Sequence, residues 1–439
     1  MTESDHSGAV GTMVPQGLRR NRNYRRVWVS QAVSLLGDEV LATAIMLYLG
    51  IAAGDQPWGP AAVAGVLIAR TIPVLLFSLV GGVYADRWDR RRLMLAMDAA
   101  RAGLVAGLAV LLLTGTGLPV GVQLGAIYLV ITLSALAALF FNPARYGLLA
   151  TIVADADRER MASLTQGTAA LAGIIGPPLA AGMLAATDAP WSLLFTAAGF
   201  AISYTALVKV RAARAGEPVR PGQRPGVWRD LLTGMRYVAG NRLLRIMLTT
   251  TVLIGIGVEA IGTLDIFFIM RNLHASAQMY GVLGGVYAVG TLAGAALAAG
   301  LGARLGATRV YAYGFLLTGL LLATYSRMTT LTGGIIMLGL TGVPTAAAYS
   351  MVGPLIMRAT PENLIGRVSA MFNQADQFAT LVTVSVTAWL AGTVLRDLDR
   401  TVAGVHFGTI DSVFLVAGIL IAATGLWLTR ALRTEWKDT

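Results

Sequence analysis

The sequence contains no cysteine, which excludes disulfide bonds and thiolate-bound metal ions. Its three histidines, His6, His274 and His406, are too widely spaced to indicate a zinc site. Lysine occurs only at positions 209 and 437, and neither lysine completes the Gly-x-x-x-x-Gly-Lys-Ser/Thr loop that binds nucleotide phosphates. The sequence therefore predicts no metal ion, no cofactor and no ATP site in this chain.

Charged residues are also scarce. They make up 13% of the chain, against 56% hydrophobic residues, and the mean hydropathy is +0.67. Because a soluble domain contains about 25% charged residues, most of this chain is expected to lie in lipid. The net charge of +11 would suggest nucleic acid in a soluble protein. Here arginine-rich cytoplasmic loops explain it, and we expect no nucleic-acid partner.

Twelve apolar runs are each long enough to cross a bilayer, which needs about 20 residues. An even number of spans places both termini on one side. Only four of the 34 lysines and arginines fall in the predicted external loops, and two more, Arg70 and Arg101, fall within spans; this bias marks the side of the termini as cytoplasmic. The predicted spans are 27–49, 61–84, 93–113, 122–142, 163–186, 190–208, 246–270, 278–301, 308–326, 331–357, 368–391 and 410–429.

The chain divides into two halves around its longest internal loop. That loop contains three prolines and then apolar residues at helical spacing, which predicts an amphipathic helix on the membrane surface. Short similarities between the halves, at offsets of a little over 200 residues, suggest an internal duplication. The predicted parts are a cytoplasmic tail (1–26), an N-terminal six-helix half (27–208), a linker (209–245), a C-terminal six-helix half (246–430) and a second cytoplasmic tail (431–439).

A basic turn between the second and third spans is the most specific motif. It has six charges in the seven residues 86–92, so it must face water. The turn matches the pattern Gly-x-x-Ala-Asp-Arg-x-x-Arg-Arg-x-Leu at Gly82, Ala85, Asp86, Arg87, Arg90, Arg91 and Leu93. On this motif the sequence resembles the major facilitator superfamily; it departs from the pattern at Tyr84 and Asp89.

The resemblance covers about residues 20–430 and implies an all-α membrane protein of the inner (plasma) membrane. It implies twelve transmembrane helices in two pseudo-symmetric six-helix halves. It also implies a cytoplasmic gating loop that ties the halves together, formed here by Gly82, Asp86, Arg87, Arg90 and Arg91.

The fifth span contains Gly173, Gly176, Pro177 and Pro178. A proline inside a helix removes a backbone hydrogen bond and kinks it. The run resembles the Gly-Pro signature of helix five in superfamily antiporters, which marks exporters, although the doubled proline and the glycine spacing differ. An ordinary proline kink is the alternative, since membrane helices tolerate proline.

Ionisable residues within the spans indicate a central cavity, because a charge in mid-membrane usually faces a cavity or a partner. The candidates are Asp38, Glu39, Arg70, Glu259 and Asp376, with the polar residues Gln31, Asn373 and Gln377 beside them. Two interpretations stay open for Asp38: proton exchange near Arg70, or a static Asp38–Arg70 ion pair. For Glu259 and Asp376, two roles remain equally open: attracting a cation, or forming structural hydrogen bonds.

Asp98 and Arg101 are three residues apart in the third span and can pair on one helix face. A structural role is favoured, because this span is usually peripheral in the fold; a relay between cavity and loop is the alternative. The fourth predicted span, 122–142, lacks the inward arginine of many drug–proton antiporters, which shifts that role to Arg70 or Arg101.

The resulting hypothesis is a secondary active transporter, not an enzyme, that works as a monomer by alternating access. Its resemblance to macrolide, tetracycline-type and enterobactin exporters implies proton-coupled efflux of hydrophobic or cationic small molecules, as in multidrug resistance. Its partners would be this substrate, protons and the lipid bilayer. A lysolipid flippase, a proton-coupled metabolite importer and a non-transporting sensor or assembly partner remain alternatives.

Overall fold

The computed structural model describes residues 21–53, 56, 58–85, 88–115, 117–153, 157–210, 227–361, 364–395, 398–402 and 405–433. Almost all of them are helical. The helices are α1 (Arg22–Ala53), α2 (Gly59–Ala85), α3 (Arg90–Thr114), α4 (Val120–Ile152), α5 (Arg158–Ala186), α6 (Ala189–Val208), α7 (Val227–Gly240), α8 (Arg242–Arg271), α9 (Met279–Leu305), α10 (Ala307–Tyr325), α11 (Leu331–Ser350), α12 (Val352–Ala359), α13 (Ile365–Trp389) and α14 (Thr409–Ala431).

Eleven spans among the described residues are long and apolar enough to cross a membrane: α1 to α6, α8, α9, α11 together with α12, α13 and α14. The 19-residue α10 packs between α11 and α14 and supplies the twelfth. The predicted twelve-helix fold is therefore confirmed. Within the described residues, the exception to helical structure is a small antiparallel hairpin between α13 and α14, made of β1 (Asp399–Val402) and β2 (Val405–Gly408).

The helix ends follow local sequence signals. Asp89 caps α3 by accepting a hydrogen bond from the backbone N–H of Arg92, as short polar residues at helix starts commonly do. Gly306 alone separates α9 from α10, and its φ of 85° is a left-handed conformation that favours glycine. This sharp turn lets α10 begin without a longer loop.

Two equivalent asparagines begin the first helix of each half. The side chain of Asn21 accepts from the N–H of Tyr24 and donates to the carbonyl of Ile152, at the end of α4. The side chain of Asn241 accepts from the N–H of Leu244 and donates to the carbonyl of Ala359, at the end of α12. The repeated arrangement is a structural sign of duplication. We call the membrane side that carries these caps the terminal side.

The helices form two groups of six spans. Helices α1 to α6 pack mainly on one another, and α8 to α14 do the same; across the boundary, α2 packs on α13 and α5 on α9. Helix α7 joins the second group, where the hydroxyl of Tyr237 donates to the carbonyl of Ala359. The pattern is that of two pseudo-symmetric halves.

Contacts between the halves lie toward the side opposite the caps. A Cβ built on Gly50, near the end of α1, would meet Ile266 of α8, and one built on Gly59, at the start of α2, would meet Phe267. Ala64 of α2 packs with the end of α13 nearby. Because these contacts close the opposite side, we infer that the cleft between the halves opens toward the terminal side.

Candidate functional site

A buried arginine organises the interior of the first half. Arg101 of α3 is fully buried and bridges two carboxylates. Its Nη1 lies 3.2 and 3.1 Å from the two carboxylate oxygens of Asp38 on α1. Its Nη2 donates to Asp98 at 2.5 Å and to the hydroxyl of Ser34 at 2.8 Å. One guanidinium thus ties α1 to α3, with charge-assisted hydrogen bonds stronger than neutral ones.

Further contacts hold this group rigidly. The guanidinium carbon of Arg101 lies 4.8 Å from the ring centre of Phe141 on α4 and 4.6 Å from that of Phe200 on α6, within the range of favourable cation–π contact. The second oxygen of Asp98 accepts from the hydroxyl of Ser203 on α6 at 2.5 Å. We call Asp38, Asp98 and Arg101 the buried triad. Asp98 is fully buried, whereas the side chain of Asp38 is 23% exposed, so Asp38 is the member that solvent can reach.

Of the two interpretations left open for Asp38, the static Asp38–Arg70 ion pair is wrong, because Asp38 binds Arg101 and Arg70 binds the neighbouring acid, Glu39, at 2.9 Å. Consecutive residues point about 100° apart around an α-helix. Asp38 therefore turns into the first half, toward α3, while Glu39 turns toward α2. The predicted pair of Asp98 and Arg101 on one face of α3 is present. Arg101 also reaches α1 through Asp38, and Asp98 reaches α6 through Ser203.

The second half contributes two acids, Glu259 on α8 and Asp376 on α13. Glu259 interacts electrostatically with both Asp376 and Arg70, and Thr380 lies within hydrogen-bonding reach of its carboxylate. A Cβ built on Gly255 would lie 3.7 Å from a carboxylate oxygen of Asp376, which places this oxygen beside the α8 backbone. The structure thus brings four predicted residues close together at the boundary between the halves, Glu39, Arg70, Glu259 and Asp376; we call them the cavity cluster, after the cavity that the sequence predicts.

Three polar candidates divide between cavity and interior. Asn373 is exposed and Gln377 is half-buried. Asn373 lies three residues before Asp376 and four before Gln377, so it neighbours both on the surface of α13. Gln31 does not lie in the cavity. It is fully buried, and its amide donates to the backbone carbonyl of Thr165 on α5. On α1, Ser34 and Asp38 face Arg101 instead.

The helix-five run positions the cavity cluster and joins the halves. A Cβ built on Gly176 would lie only 2.6 Å from the Cβ of Glu39, so α5 presses directly on the stem of this acid. The next residues, Pro177 and Pro178, face the other half. A Cβ on Gly281 of α9 would lie 3.0 Å from the Cα of Pro178 and 3.3 Å from the carbonyl oxygen of Pro177.

Replacing Gly176 with alanine is expected to displace Glu39 and weaken its pair with Arg70, because Cβ atoms do not approach within 3.0 Å. The matched control is Gly173→Ala in the same helix, where an added Cβ meets nothing within 4 Å. We expect transport to fall by up to about fivefold for Gly176→Ala, since a pair this exposed contributes at most about 1 kcal/mol, and to stay unchanged for the control. Equal transport rates in the two variants would contradict this assignment.

The predicted gating loop is only partly described. Asp86 and Arg87 lie outside the described residues, and Gly82 belongs to the last turns of α2. Arg90 donates to the carbonyl of Gly147 at the end of α4. Arg91 donates to the carbonyls of residues 207 and 208 at the end of α6, at 3.2 and 2.6 Å. In this conformation these two arginines tie helices of the first half to one another.

The expectation that the fourth span lacks an inward arginine is wrong. Helix α4 continues through Pro143 to Ile152, and Arg145 within it is 4% exposed. It interacts electrostatically with Asp38 and Arg101. Its Nε and Nη1 atoms are buried without a hydrogen-bond partner among the described residues. The signal in the sequence is the apolar run that resumes at 147–153, which shows that the helix does not end before Arg145.

Comparison with known proteins agrees with this architecture. The family profile described as transmembrane secretion effector matches residues 15–433. The multidrug efflux pump Tap of Mycobacterium tuberculosis is 25% identical over 405 residues, which cover 85% of this chain and 89% of Tap. The enterobactin exporter EntS of Salmonella choleraesuis is 23% identical over 394 residues, which cover 88% of this chain and 90% of EntS.

Solved structures share the fold. The crystal structure of a bacterial homologue of the iron transporter ferroportin, in an inward-facing state, gives a TM-score of 0.70 at 15% sequence identity, covering 94% of this chain and 100% of that chain. Together with the profile match over nearly the whole chain, the fold shows that this multi-pass membrane protein belongs to the major facilitator superfamily, in its transmembrane secretion effector family.

Proposed function

We propose that this protein is a secondary active exporter that moves hydrophobic or cationic small molecules across the membrane in exchange for protons, by alternating access. The observation that carries the proposal is the buried triad, in which two carboxylates share one arginine and only Asp38 is open to solvent. Intramembrane ionisable groups of this kind are expensive to bury and usually serve transport. Relatives named as multidrug and enterobactin exporters support the direction of transport.

The two carboxylates of the triad can take different roles in proton exchange. When Asp38 takes up a proton, it loses its charge and its ion pair with Arg101. Arg101 keeps Asp98 and Ser34 as partners, so Arg101 itself stays paired. A neutral Asp38 costs less to desolvate than a charged one, which favours closure of the cleft around it. We propose that Asp38 carries the proton and that Asp98 holds Arg101 in place.

We propose that the terminal side is cytoplasmic, because lysine and arginine are concentrated there. Both termini are then cytoplasmic, the protein lies in the plasma membrane, and the conformation described here opens inward. The units of transport are the halves 27–208 and 246–430, joined by 209–245, within a single chain that acts as a monomer. On this view the kinked α5, which packs on α9, is the surface about which the halves rock.

The test is substrate-driven proton movement in inside-out vesicles with an imposed pH gradient. Lipophilic cations and uncharged antibiotics are added one at a time. We expect at least one to dissipate the gradient with the wild-type protein and none to do so with Asp38→Asn. Asp188→Asn is the matched control, since this exposed carboxylate at the start of α6 lies on the opposite side. Unchanged proton flux in Asp38→Asn would contradict the coupling role.

A further inference from the structure

We propose that Arg70 is a tethered counter-cation, which competes with cationic substrates for the carboxylates of the cavity cluster and so sets how many positive charges a substrate must carry. The inference rests on the proposed export function and adds a determinant of specificity to it. The position of Arg70 between acids of both halves suggests this role.

The ion pair between Arg70 and Glu39 can break at low energetic cost. Its two side chains are 45% and 31% exposed, respectively, although both helices are transmembrane. Ion pairs that water can reach contribute only about 0–1 kcal/mol, so a ligand cation can replace the guanidinium. This contrasts with Arg101, which is fully buried and held by two acids and two rings.

Arg70 faces the equivalent acid of each half. Glu39 follows the capping Asn21 by 18 residues, and Glu259 follows the capping Asn241 by the same 18 residues. Arg70 binds Glu39 and interacts electrostatically with Glu259. Helix α9, the counterpart of α2 in the second half, contains no arginine before Arg304 at its terminal-side end. One arginine therefore serves two related carboxylates.

The charges of the site define the substrate. Within the first half, Asp38 and Asp98 balance Arg101 and its neighbour Arg145, so this group adds no net charge. The cavity cluster has three acids, Glu39, Glu259 and Asp376, against Arg70 alone. Its formal charge of minus two, with all three acids ionised, favours organic cations, and displacement of Arg70 exposes one further negative charge to the ligand.

The proposal is tested by equilibrium binding to the purified full-length protein in detergent. The probes are tetraphenylphosphonium, a permanent monocation, and triphenylphosphine oxide, a neutral compound of similar shape. We expect Arg70→Gln to bind the cation about tenfold more tightly, since it removes a competing charge at short range, and to leave the neutral compound unchanged. Arg304→Gln, which removes an exposed arginine outside the cavity, should alter neither.

A double-mutant cycle separates competition from a structural effect. Glu39→Gln frees Arg70 to neutralise Glu259, so it should weaken cation binding by about tenfold. In the Arg70→Gln background, Glu39→Gln should reduce the affinity for the cation markedly less, because no arginine is released to neutralise Glu259. The proposal would be overturned if Glu39→Gln weakened cation binding equally in both backgrounds. It would also be overturned if Arg70→Gln bound the cation no more tightly than the wild type, or if it bound the neutral compound more tightly by the same factor.

Failure of this inference is distinct from failure of the export function. A wild-type protein that exports a neutral antibiotic in exchange for protons, but binds tetraphenylphosphonium no better than the neutral probe, would overturn the role of Arg70 and leave export standing. A protein in which Arg70 competes with the cation but substrate drives no proton movement would overturn proton-coupled export and leave the role of Arg70 standing.

Discussion

Replacing Arg101 with methionine is expected to lower the free energy of unfolding by about 3–5 kcal/mol, because it leaves two carboxylates in the interior without their shared cation. Asp98 is fully buried and keeps only the hydroxyl of Ser203 as a described donor. Thermal or detergent-induced unfolding of the purified protein measures this loss. Coupled transport should vanish as well.

Two controls distinguish the triad from a general charge effect. Arg101→Lys keeps the positive charge but lacks the planar guanidinium that binds Asp38 and Asp98 together. We therefore expect it to be more stable than Arg101→Met but to show little transport. Arg70→Met removes an arginine from a half-exposed pair and should cost about 1 kcal/mol or less. A variant Arg101→Met as stable as the wild type would show that the triad does not hold the first half together.

Replacing Gly294 with alanine is expected to disrupt the second half, because α9 and α11 touch there through their backbones. A Cβ at Gly294 would lie 2.1 Å from the carbonyl oxygen of Val343, and one at Gly290, a turn earlier, would lie 2.1 Å from that of Gly339. Neither carbonyl can rotate away as a side chain would. Overpacking of this kind typically costs about 1–3 kcal/mol or more, so we expect poor yield and a lowered unfolding temperature.

Gly300→Ala provides the matched control in the same helix, since an added Cβ there meets nothing within 4 Å. Alanine has a higher helix propensity than glycine by about 1 kcal/mol, so this variant should be as stable as the wild type or slightly more stable. If Gly294→Ala behaves like Gly300→Ala, the close approach of α9 and α11 is not required for folding.

Composition and motif could predict most of the fold. Apolar runs of membrane-spanning length, separated by arginine-rich turns, define the spans and their alternation, because lipid tolerates few other backbone structures. The prediction failed at the end of α4, where Pro143 and Arg145 resemble the start of a loop. The structure shows one continuous helix there, in which Arg145 is buried and Pro143 is half-buried. The hairpin between α13 and α14 carries no comparable signal.

The sequence could identify the residues of the candidate site, but not which of them pair with one another. The sequence identifies Asp38 and Glu39 as unusual in a span, yet which of them meets Arg70 depends on the rotation of α1 about its axis. Tertiary packing fixes that rotation, partly through the contact between Gly176 and Glu39. The relation of Glu39 to Glu259 was equally hidden, because only the two asparagine caps reveal the common register of α1 and α8.

The central claim, that one cavity alternates between the two sides under control of Asp38, is tested most directly by distances between spin labels. The chain has no cysteine, so label sites can be introduced without removing any. One pair, at Thr151 and Met357, reports on the terminal side, and a second, at Thr114 and Thr329, reports on the opposite side; all four positions are exposed. Acidification with substrate should change the two distances in opposite directions in the wild type, and pH should have no effect in Asp38→Asn. Distances that change together, or an unaltered pH response in Asp38→Asn, would contradict the account.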